Sequence, residues 1–382
     1  MHKSSLITLK EESVTNNIHF LKKRLGKNVR MSSVVKANAY GHGIQQMVPL
    51  LEREGIDHFS VFDYHEAIQV QACLKSEATI MIMGWISDEN IQDTIKKGIE
   101  FFIFNTDRML KALNAARELN IKAKIHLDVE TGMNRSGLNF DQLQTVINIL
   151  LANPDYFEVN GFCTHLAGPE SISNYKRIMD QLKKYNKLYQ LLKSHNIHPQ
   201  YKHVANSAGA IAYPKAKMDL VRIGILQYGF WPSAETFAYY HRNRKNKTDP
   251  LKRILGWESK IMAIKEIKNG EFVGYGMSFL AQTDTLTALI PIGYSCGYNR
   301  SLSNKGRVLV NGQICGIIGI VNMNMIIADI TNAPNAEVGD EVVIIGKQNG
   351  IEIKVSAFSD NSNQLNYEIL AHLPESIKRI II

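Results

Sequence analysis

The chain contains 382 residues, more than one compact domain usually holds, so we expect two domains. Hydrophobic residues make up 45% and charged residues 21% of the sequence, as in an ordinary globular protein with an ample core. The net charge is +8, but outside the run HRNRKNK at 241–247 basic and acidic residues are interspersed. This pattern favours a solvated basic surface over nucleic-acid binding.

The four cysteines, Cys73, Cys163, Cys296 and Cys315, have neither metal-ligand nor disulfide spacing, which indicates a reducing compartment. The N-terminal sequence lacks the apolar core of a signal peptide. The apolar runs, such as TIMIMGWI at 79–86, are too short to cross a bilayer. We therefore expect a cytoplasmic protein with no metal site and no membrane contact.

Short apolar runs alternate with amphipathic segments over the first 230 residues. The predicted strands are 31–36, 58–62, 78–83, 100–104, 122–128, 157–165, 201–205 and 219–224. The predicted helices are 11–25, 43–55, 65–75, 88–98, 106–120, 140–152 and 171–195, several of them preceded by capping residues such as Ser87 and Asn105. Eight strands that alternate with helices predict an α/β fold, a (β/α)8 TIM-like barrel over residues 10–235.

After about residue 235 helical periodicity gives way to short strand-like runs between turn residues such as the NG pairs at 269–270, 311–312 and 349–350. We expect a mostly β domain over residues 236–382. The polar, basic stretch 233–252 is interpreted as a linker or a surface insertion.

Functional side chains of such barrels lie at the carboxyl ends of the strands and on the loops that follow. The polar residues found there are Lys36, Asp128, Arg135, His165, Asn206, Ser207 and Arg222. Taken singly, each favours a structural role: a rim charge, a satisfied histidine or an ion-pair partner. Their convergence on one end of the barrel favours a functional site.

The chemistry of this set suits an aldehyde cofactor. Val34 and Val35 place Lys36 against an apolar interior, where an amine loses proton affinity and becomes a nucleophile. A histidine ring can stack on a flat heteroaromatic ring, and arginines can contact a ring nitrogen and a phenolic oxygen. A phosphate group suits the hydroxyls of Tyr40 and Ser207 and the backbone N–H groups around Ser207, Gly224 and Ile225.

The string VVKANAYGHG at 34–43 resembles the cofactor-lysine signature of alanine racemases, which are fold-type-III pyridoxal-phosphate enzymes. The resemblance continues, in order along nearly the whole chain, through TGMNRSG at 131–137, THLAGPE at 164–170, HVANSAGA at 203–210, VRIGILQYG at 221–229, VGYGMSF at 273–279, PIGYSCGY at 291–298 and NYEI at 366–369. It implies a barrel followed by a β domain, to which a first strand near 3–9 also belongs. It also implies a head-to-tail homodimer in which the β domain of each subunit closes the barrel of the other.

The resemblance implies that Lys36 carries pyridoxal 5'-phosphate as an internal aldimine and acts as one acid/base. Tyr275, from the partner subunit, would be the opposite base, because racemisation needs a proton donor and acceptor on both faces of the substrate. His165 and the positive charge of Arg222 would favour the tyrosine phenolate. Arg222 would also leave the cofactor's ring nitrogen unprotonated, which suppresses side reactions such as transamination.

By the same resemblance, Arg135 contacts the substrate carboxylate, Tyr294 narrows the entrance, and Met323 offers its backbone N–H to the substrate. The implied cofactor-binding residues are Lys36, Tyr40, Arg135, His165, Asn206, Ser207, Arg222, Gly224, Ile225 and Tyr367. The implied reaction interconverts L-alanine and D-alanine, and supplies D-alanine for peptidoglycan.

The sequence departs from the family at two places. Many relatives carry a lysine, commonly carbamylated, where this chain has Asp128, and we expect the Asp128 carboxylate to orient Arg135 instead. In GIVNMNM at 319–325, Ile320, Asn322 and Asn324 stand where arginine, cysteine and aspartate are more usual. These changes concern the size and polarity of the substrate pocket.

Other functions are open at this point. The same scaffold serves broader racemases of serine or lysine. A fold-type-III decarboxylase would need an acidic partner for the ring nitrogen where Arg222 stands. A non-enzymatic cofactor-carrier protein shares the barrel and its lysine but lacks a β domain.

Overall fold

The computed structural model describes residues 4–358 and 366–382, and its contacts divide the chain into two units. The barrel unit consists of Glu12–Lys36 and Met47–Arg253. The β unit consists of Met1–Glu11, Ala37–Gln46 and Ile254–Ile382.

Eight parallel strands form the barrel, and they are preceded in the chain by strand β1 (Ser5–Leu9) of the β unit. The barrel strands are β2 (Arg30–Val34), β3 (His58–Val61), β4 (Thr79–Ile82), β5 (Glu100–Ile103), β6 (Ala123–Asp128), β7 (Phe157–Cys163), β8 (Tyr201–His203) and β9 (Leu220–Ile223). All eight coincide with predicted strands. Strands β3, β5 and β9 are buried at every residue, because helices cover the outer face of a parallel barrel and side chains fill its interior.

The sheet runs from β9 through β2 and then in chain order to β8. Its two ends meet through backbone hydrogen bonds from Asp219 N to Lys202 O and from Arg222 N to Ala205 O, both 3.1 Å long. The sheet is therefore nearly closed into a barrel, which confirms the predicted fold class.

Between residues 11 and 241, the first seven helices follow the predicted pattern with small shifts at their ends, and the last two were not predicted. The helices are α1 (Glu11–Leu25), α2 (Ile44–Arg53), α3 (Tyr64–Cys73), α4 (Ile91–Lys96), α5 (Thr106–Leu119), α6 (Phe140–Ala152), α7 (Tyr175–Ser194), α8 (Ser207–Ala212) and α9 (Ala234–His241). Asn105 caps α5 by accepting a hydrogen bond from Arg108 N. Ser87 instead accepts from the side chain of Asn90 in a short 3-10 turn before α4.

The segment 233–252, which was interpreted as a linker or a surface insertion, folds against the barrel. It begins with α9, capped by Ser233, and the indole of Trp231 donates to Asp249 at 2.9 Å. The fully buried side chain of Asn17 on α1 donates to Lys252 O and accepts from Lys252 N, both at 2.8 Å. These bonds explain why the structure divides the chain after Arg253, whereas composition placed the boundary at 235.

Two sheets make up the β unit. Its remaining strands are β10 (Leu255–Lys260), β11 (Ala263–Ile267), β12 (Thr285–Ile290), β13 (Arg307–Val310), β14 (Gln313–Gly316), β15 (Ile326–Asp329), β16 (Glu341–Gln348), β17 (Ile351–Ile353) and β18 (Lys378–Ile381), with helix α10 (Asn366–Ala371) before the last. The larger sheet has the order β14-β13-β16-β10-β1-β18 with β17 beside β16, and the smaller has the order β11-β12-β15. Strand β1 is antiparallel to β10 and parallel to β18.

Two of the predicted Asn-Gly turns close hairpins in this unit. Asn311 and Gly312 join β13 to β14, with φ angles of 50° and 78°, and Asn349 and Gly350 join β16 to β17, with φ angles of 49° and 84°. Positive φ at both central positions is the condition for a type I′ turn, which is why Asn-Gly is favoured there.

Within residues 4–358 and 366–382, no helix has both the length and the apolar character needed to span a membrane.

Candidate active site

Lys36 lies just beyond the carboxyl end of β2, after the buried residues Val34 and Val35. Burial lowers the pKa of its amine from the ordinary value, and the positive charge of Arg135 lowers the pKa further, against an opposing effect of Glu66. A larger share of the amine is therefore neutral at physiological pH, and a neutral amine is the nucleophilic form.

The end of β2 is fixed by two residues that sequence reasoning missed. The Tyr228 hydroxyl and the Gln227 amide both donate to Val34 O at 2.9 Å, and Ser33 Oγ donates to Gln227 Oε1 at 2.7 Å. Gln227 and Tyr228 are fully buried. A buried glutamine in the otherwise apolar GILQYG run is the signal that could have identified this clamp on the strand that carries Lys36.

The backbone that follows Lys36 is left-handed over four consecutive residues. Ala37, Asn38, Ala39 and Tyr40 have φ angles between 50° and 53°. A left-handed conformation costs about 1–2 kcal/mol per L-residue, and none of the four is glycine. Such strain persists where the surrounding structure imposes it, which is often at functional sites.

The following glycine, Gly41, is required by its surroundings within the β unit. It has a φ angle of 76°, and a Cβ atom there would lie 1.8 Å from Leu370 O. Its own carbonyl accepts a hydrogen bond from Arg379 Nε at 3.0 Å. Arg379 is 9% exposed and donates to several further carbonyls, so it anchors this segment to the end of the chain.

Arg222 on β9 is only 4% exposed. Its Nη2 donates to Thr164 O at 2.8 Å, and its Nη1 donates to His203 O at 3.0 Å and to His203 Nδ1. Strands β7 and β8 thus supply the acceptors that hold the guanidinium. The arrangement places a fixed positive charge in the barrel.

His165 follows β7, and its imidazole is surrounded by positive charge. Burial lowers its pKa to about 3, with further lowering by Arg222, Arg135 and Lys36. The imidazole is therefore neutral at physiological pH, when it can both donate and accept a hydrogen bond. These mutual effects show that the structure brings four of the predicted residues together: Lys36, Arg135, His165 and Arg222.

Asp128 ends β6 and is 6% exposed. Ser136 Oγ donates to its Oδ2 at 3.2 Å, and the Cys163 thiol lies 4.0 Å from its Oδ1. Asp128 and Arg135 share no hydrogen bond within the described part of the chain, and Arg135 affects the carboxylate through longer-range electrostatics. The predicted role of Asp128 in orienting Arg135 therefore stays a prediction.

The predicted phosphate-binding segments, after β8 and β9, are linked to each other. Asn206 caps α8 by accepting from Gly209 N at 2.9 Å, and Ser207 Oγ accepts from Gly224 N at 3.0 Å. Ile225, which is 6% exposed, continues the second segment. Ser207 and Gly224 therefore lie within hydrogen-bonding distance of each other, and their role in binding phosphate stays a prediction.

The β unit gathers a second group of predicted residues. Tyr275, Tyr294 and Met323 line a groove of about 650 Å³, together with Arg300 and the three positions that depart from the family, Ile320, Asn322 and Asn324. Tyr275 is 70% exposed and lies between two glycines of positive φ, at 74° and 67°. Tyr40 and Tyr367 also belong to the β unit, Tyr367 on α10.

A further set of buried residues was not predicted. His126, His203 and Glu100 lie inside the barrel and are hydrogen-bonded in series with Arg222. The signal in the sequence is an ionisable residue within an otherwise apolar strand, as in KAKIHLD at 122–128.

Comparison with known proteins follows the same division of the chain. Residues 9–232 match the family model for the alanine racemase N-terminal domain, and residues 254–381 match the model for the C-terminal domain. The chain belongs to the alanine racemase family. Because both domains are present, a cofactor-carrier protein, which lacks the β domain, does not fit.

Relatives in this family match over almost their full length. An alanine racemase of Leptospira interrogans is 33% identical, over 99% of this chain and 96% of that protein. Alanine racemase 1 of Clostridium acetobutylicum is 31% identical, over 94% of this chain and 91% of that protein.

Solved alanine racemases share the fold. The protein from Clostridium difficile 630 has a TM-score of 0.91 at 26% identity, and the match covers 100% of this chain and 96% of that one. The protein from Bartonella henselae, solved with covalently bound pyridoxal phosphate, has a TM-score of 0.84 at 28% identity and full coverage of both chains.

The environment of Asp128 generates a prediction about stability and pH. Burial raises the pKa of Asp128 to about 6, above the value of about 3.9 for an unfolded chain. The folded state then binds the proton more tightly, so stability falls as the pH rises from about 4 to 6. Asp128→Asn removes this loss. Its stability relative to the wild type should increase by about 2 kcal/mol between pH 4 and pH 7.

Urea unfolding of both proteins at the two pH values measures this difference. Asp155→Asn, at an exposed position, controls for the general effect of removing a carboxylate. An Asp128→Asn variant whose stability relative to the wild type is the same at pH 4 and pH 7 would contradict the raised pKa.

Proposed function

We propose that this protein interconverts L-alanine and D-alanine with pyridoxal 5'-phosphate, by moving the substrate α-proton between Lys36 and Tyr275 of the partner subunit. The observation that carries the proposal is the barrel site itself. It combines a lysine whose pKa is lowered with the fixed positive charge of Arg222, in a member of the alanine racemase family.

The residues present fit the cofactor. An amine of lowered pKa suits a reactive aldehyde, and the linked segments at Ser207 and Gly224 offer a hydroxyl and backbone N–H groups for a phosphate. The residues that would hold it are Lys36, Tyr40, Arg135, His165, Asn206, Ser207, Arg222, Gly224, Ile225 and Tyr367. When bound, the cofactor supplies an electron sink that stabilises negative charge at the substrate α-carbon.

Arg222 distinguishes racemisation from other reactions of this cofactor. An arginine side chain only donates hydrogen bonds and keeps its protons, so it leaves a ring nitrogen that it faces unprotonated. A carboxylic acid at that position would share a proton with the ring and strengthen the electron sink. We therefore favour racemisation over decarboxylation.

Two groups on opposite faces of the substrate exchange its α-proton. Lys36 accepts or returns the proton on one face, and Tyr275 of the partner subunit does so on the other. The exposure of Tyr275 on its own subunit, 70%, supports a role toward a second copy of the chain. His165, held neutral by burial and by its charged neighbours, would relay hydrogen bonding between Tyr275 and Arg222.

Arg135 and the backbone N–H of Met323 would bind the substrate carboxylate, and Tyr294 would limit the entrance. We propose that Asp128 tunes Arg135 electrostatically, as a carbamylated lysine does in many relatives. On this proposal Asp128→Asn binds alanine more weakly, and unchanged kinetics would refute it.

We also infer a cytoplasmic location and a supply of D-alanine for peptidoglycan.

The reaction is tested by incubating the purified protein with L-alanine and a panel of other L-amino acids and following the loss of optical activity. We expect turnover of alanine. Lys36→Ala should abolish it, together with the visible absorption of the bound cofactor. Lys187→Ala, an exposed lysine on α7, should retain both.

The substrates that turn over decide between the competing functions. Because Ile320, Asn322 and Asn324 line the groove with Tyr294, racemisation of serine or lysine alongside alanine would favour the broader racemase. Release of carbon dioxide, or no turnover of any amino acid, would refute the proposed reaction.

The shared active site is tested by mixing two inactive variants, Lys36→Ala and Tyr275→Phe. If each site takes Lys36 from one subunit and Tyr275 from the other, a mixed dimer has one intact site and one doubly defective site. After random exchange half of the dimers are mixed, so activity should recover to about one quarter of the wild-type value. No recovery, with mixed dimers demonstrated by native mass spectrometry, would place both residues of a site in one subunit.

A further inference from the structure

Buried polar side chains form a hydrogen-bonded series across the barrel interior from Arg222 to Glu100. Arg222 Nη1 bonds to His203 Nδ1, His203 Nε2 lies 2.9 Å from His126 Nδ1, and His126 Nε2 lies 2.7 Å from Glu100 Oε2. All four residues are at most 5% exposed. The Phe102 ring packs against both imidazoles, with its centroid 5.9 Å from each.

Both ends of this series favour the same direction of hydrogen bonding. At one end Arg222 requires it, because a guanidinium donates hydrogen bonds and cannot accept them. His203 Nδ1 must therefore be the unprotonated nitrogen of a neutral ring, and His203 Nε2 carries the proton. His203 Nε2 then donates to His126 Nδ1, so His126 carries its own proton on Nε2. That proton is donated to Glu100, and an ionised carboxylate at this end can only accept hydrogen bonds, so it favours the same direction.

The electrostatics of the barrel interior agree with this assignment. Burial lowers the pKa of His203 well below its ordinary value, and the charge of Arg222 lowers it further, so the ring is neutral. Burial alone would raise the pKa of Glu100, but the hydrogen bond from His126 and the nearby His58 imidazole outweigh it and hold the pKa well below its usual range. Glu100 is therefore a buried anion at one end of the hydrogen-bonded series, and the buried cation Arg222 is at the other.

Neighbouring residues leave space for the hydrogen-bonded series and contact the Glu100 carboxylate at its end. Gly161 on β7 has no side chain beside His126, where a Cβ atom would lie 1.8 Å from Nδ1. Asn160 Nδ2 donates to Glu100 Oε1 at 2.5 Å, and His58 Nε2 lies 3.7 Å from Glu100 Oε2. Asn160 thus bonds to the same carboxylate but is not part of the hydrogen-bonded series.

We propose that Glu100 is a positioning residue for Arg222, which it orients through the fixed tautomers of His126 and His203. This inference rests on the proposed function, in which Arg222 faces the cofactor ring. On this proposal no proton moves along the hydrogen-bonded series during the reaction. The carboxylate selects one direction of hydrogen bonding, and that direction presents a lone pair rather than an N–H to the guanidinium.

The alternative direction would disturb the site directly. If His203 carried its proton on Nδ1, two donors would face each other in the barrel interior, and Arg222 would lose one of its bonds without compensation from water. Its remaining acceptors, Thr164 O and His203 O, are backbone carbonyls that do not change. The guanidinium would then leave the position that its bond to the His203 imidazole fixes.

The first test uses the wild-type protein, and it reads the protonation of each histidine ring rather than activity. In protein labelled with ¹⁵N-histidine, long-range ¹H–¹⁵N correlation spectra distinguish the two neutral tautomers and the imidazolium. Loss of a signal in His126→Gln or His203→Gln assigns each ring. We expect both rings to be neutral with the proton on Nε2 at pH 7. A proton on Nδ1 of either ring, or an imidazolium, would overturn the proposal.

The second test compares Glu100→Gln with the matched control Asn160→Leu. A glutamine amide both donates and accepts, so it no longer selects a direction, and both histidines should show mixed tautomers. The kcat for alanine should fall about tenfold or more through misplacement of Arg222, with KM changed less than about threefold. Asn160→Leu removes a bond to the same carboxylate, and it should preserve the wild-type tautomers and kcat even if it lowers the melting temperature.

The outcomes separate this inference from the proposed function. Wild-type tautomers and kcat in Glu100→Gln, or an equal loss of kcat in Asn160→Leu, would overturn the positioning role. Failure of the wild-type protein to racemise alanine would refute the proposed function instead, whatever the tautomers of the two histidines.

Discussion

Arg222 places a permanent positive charge among the side chains that fill the barrel. Burial lowers the pKa of its guanidinium, yet a guanidinium stays protonated in proteins, so the interior must supply hydrogen-bond acceptors for it. Two segments do so: Thr164, the residue after β7, offers its carbonyl, and His203 on β8 offers both its carbonyl and its imidazole. The positions of these strand ends, and hence of His165 and Asn206 that follow them, are coupled to this one charge.

The charge also shapes its surroundings. It contributes to lowering the pKa values of Lys36 and His165, and it opposes the rise that burial causes in the pKa of Asp128. The barrel end is therefore a region where an amine and an imidazole lose protons while a phosphorylated cofactor finds complementary charge. The strained, left-handed segment 37–40 leads away from Lys36, whose strand end is held by Gln227 and Tyr228.

Much of this arrangement could be predicted from the sequence, for identifiable reasons. Parallel barrel strands are apolar on both faces, so each produces a short hydrophobic run, and the residue that ends the run, such as Lys36 or Asp128, lies at the functional end. The hydrogen-bonded series of buried residues could not be predicted, because Glu100, His126 and His203 lie on three different strands. Each of them alone resembles an ordinary buried polar residue.

Two local features have no clear signature in the sequence. The left-handed turn after Lys36 contains Ala37 and Tyr40 rather than glycine, so its backbone conformation leaves no signature in composition. The polar composition of 233–252 indicates a linker or a surface insertion, and its attachment to the barrel depends on bonds from Asn17, more than 200 residues earlier in the sequence. Long-range contacts of this kind override local composition.

The most direct measurement of the central claim follows the α-hydrogen of alanine. When the wild-type protein is incubated with L-alanine in D2O, we expect the α-proton signal in the NMR spectrum to disappear while D-alanine carrying deuterium at Cα accumulates to parity with L-alanine. Exchange that leaves only L-alanine, or formation of D-alanine that retains its original α-hydrogen throughout, would contradict proton transfer between two groups on opposite faces of the substrate.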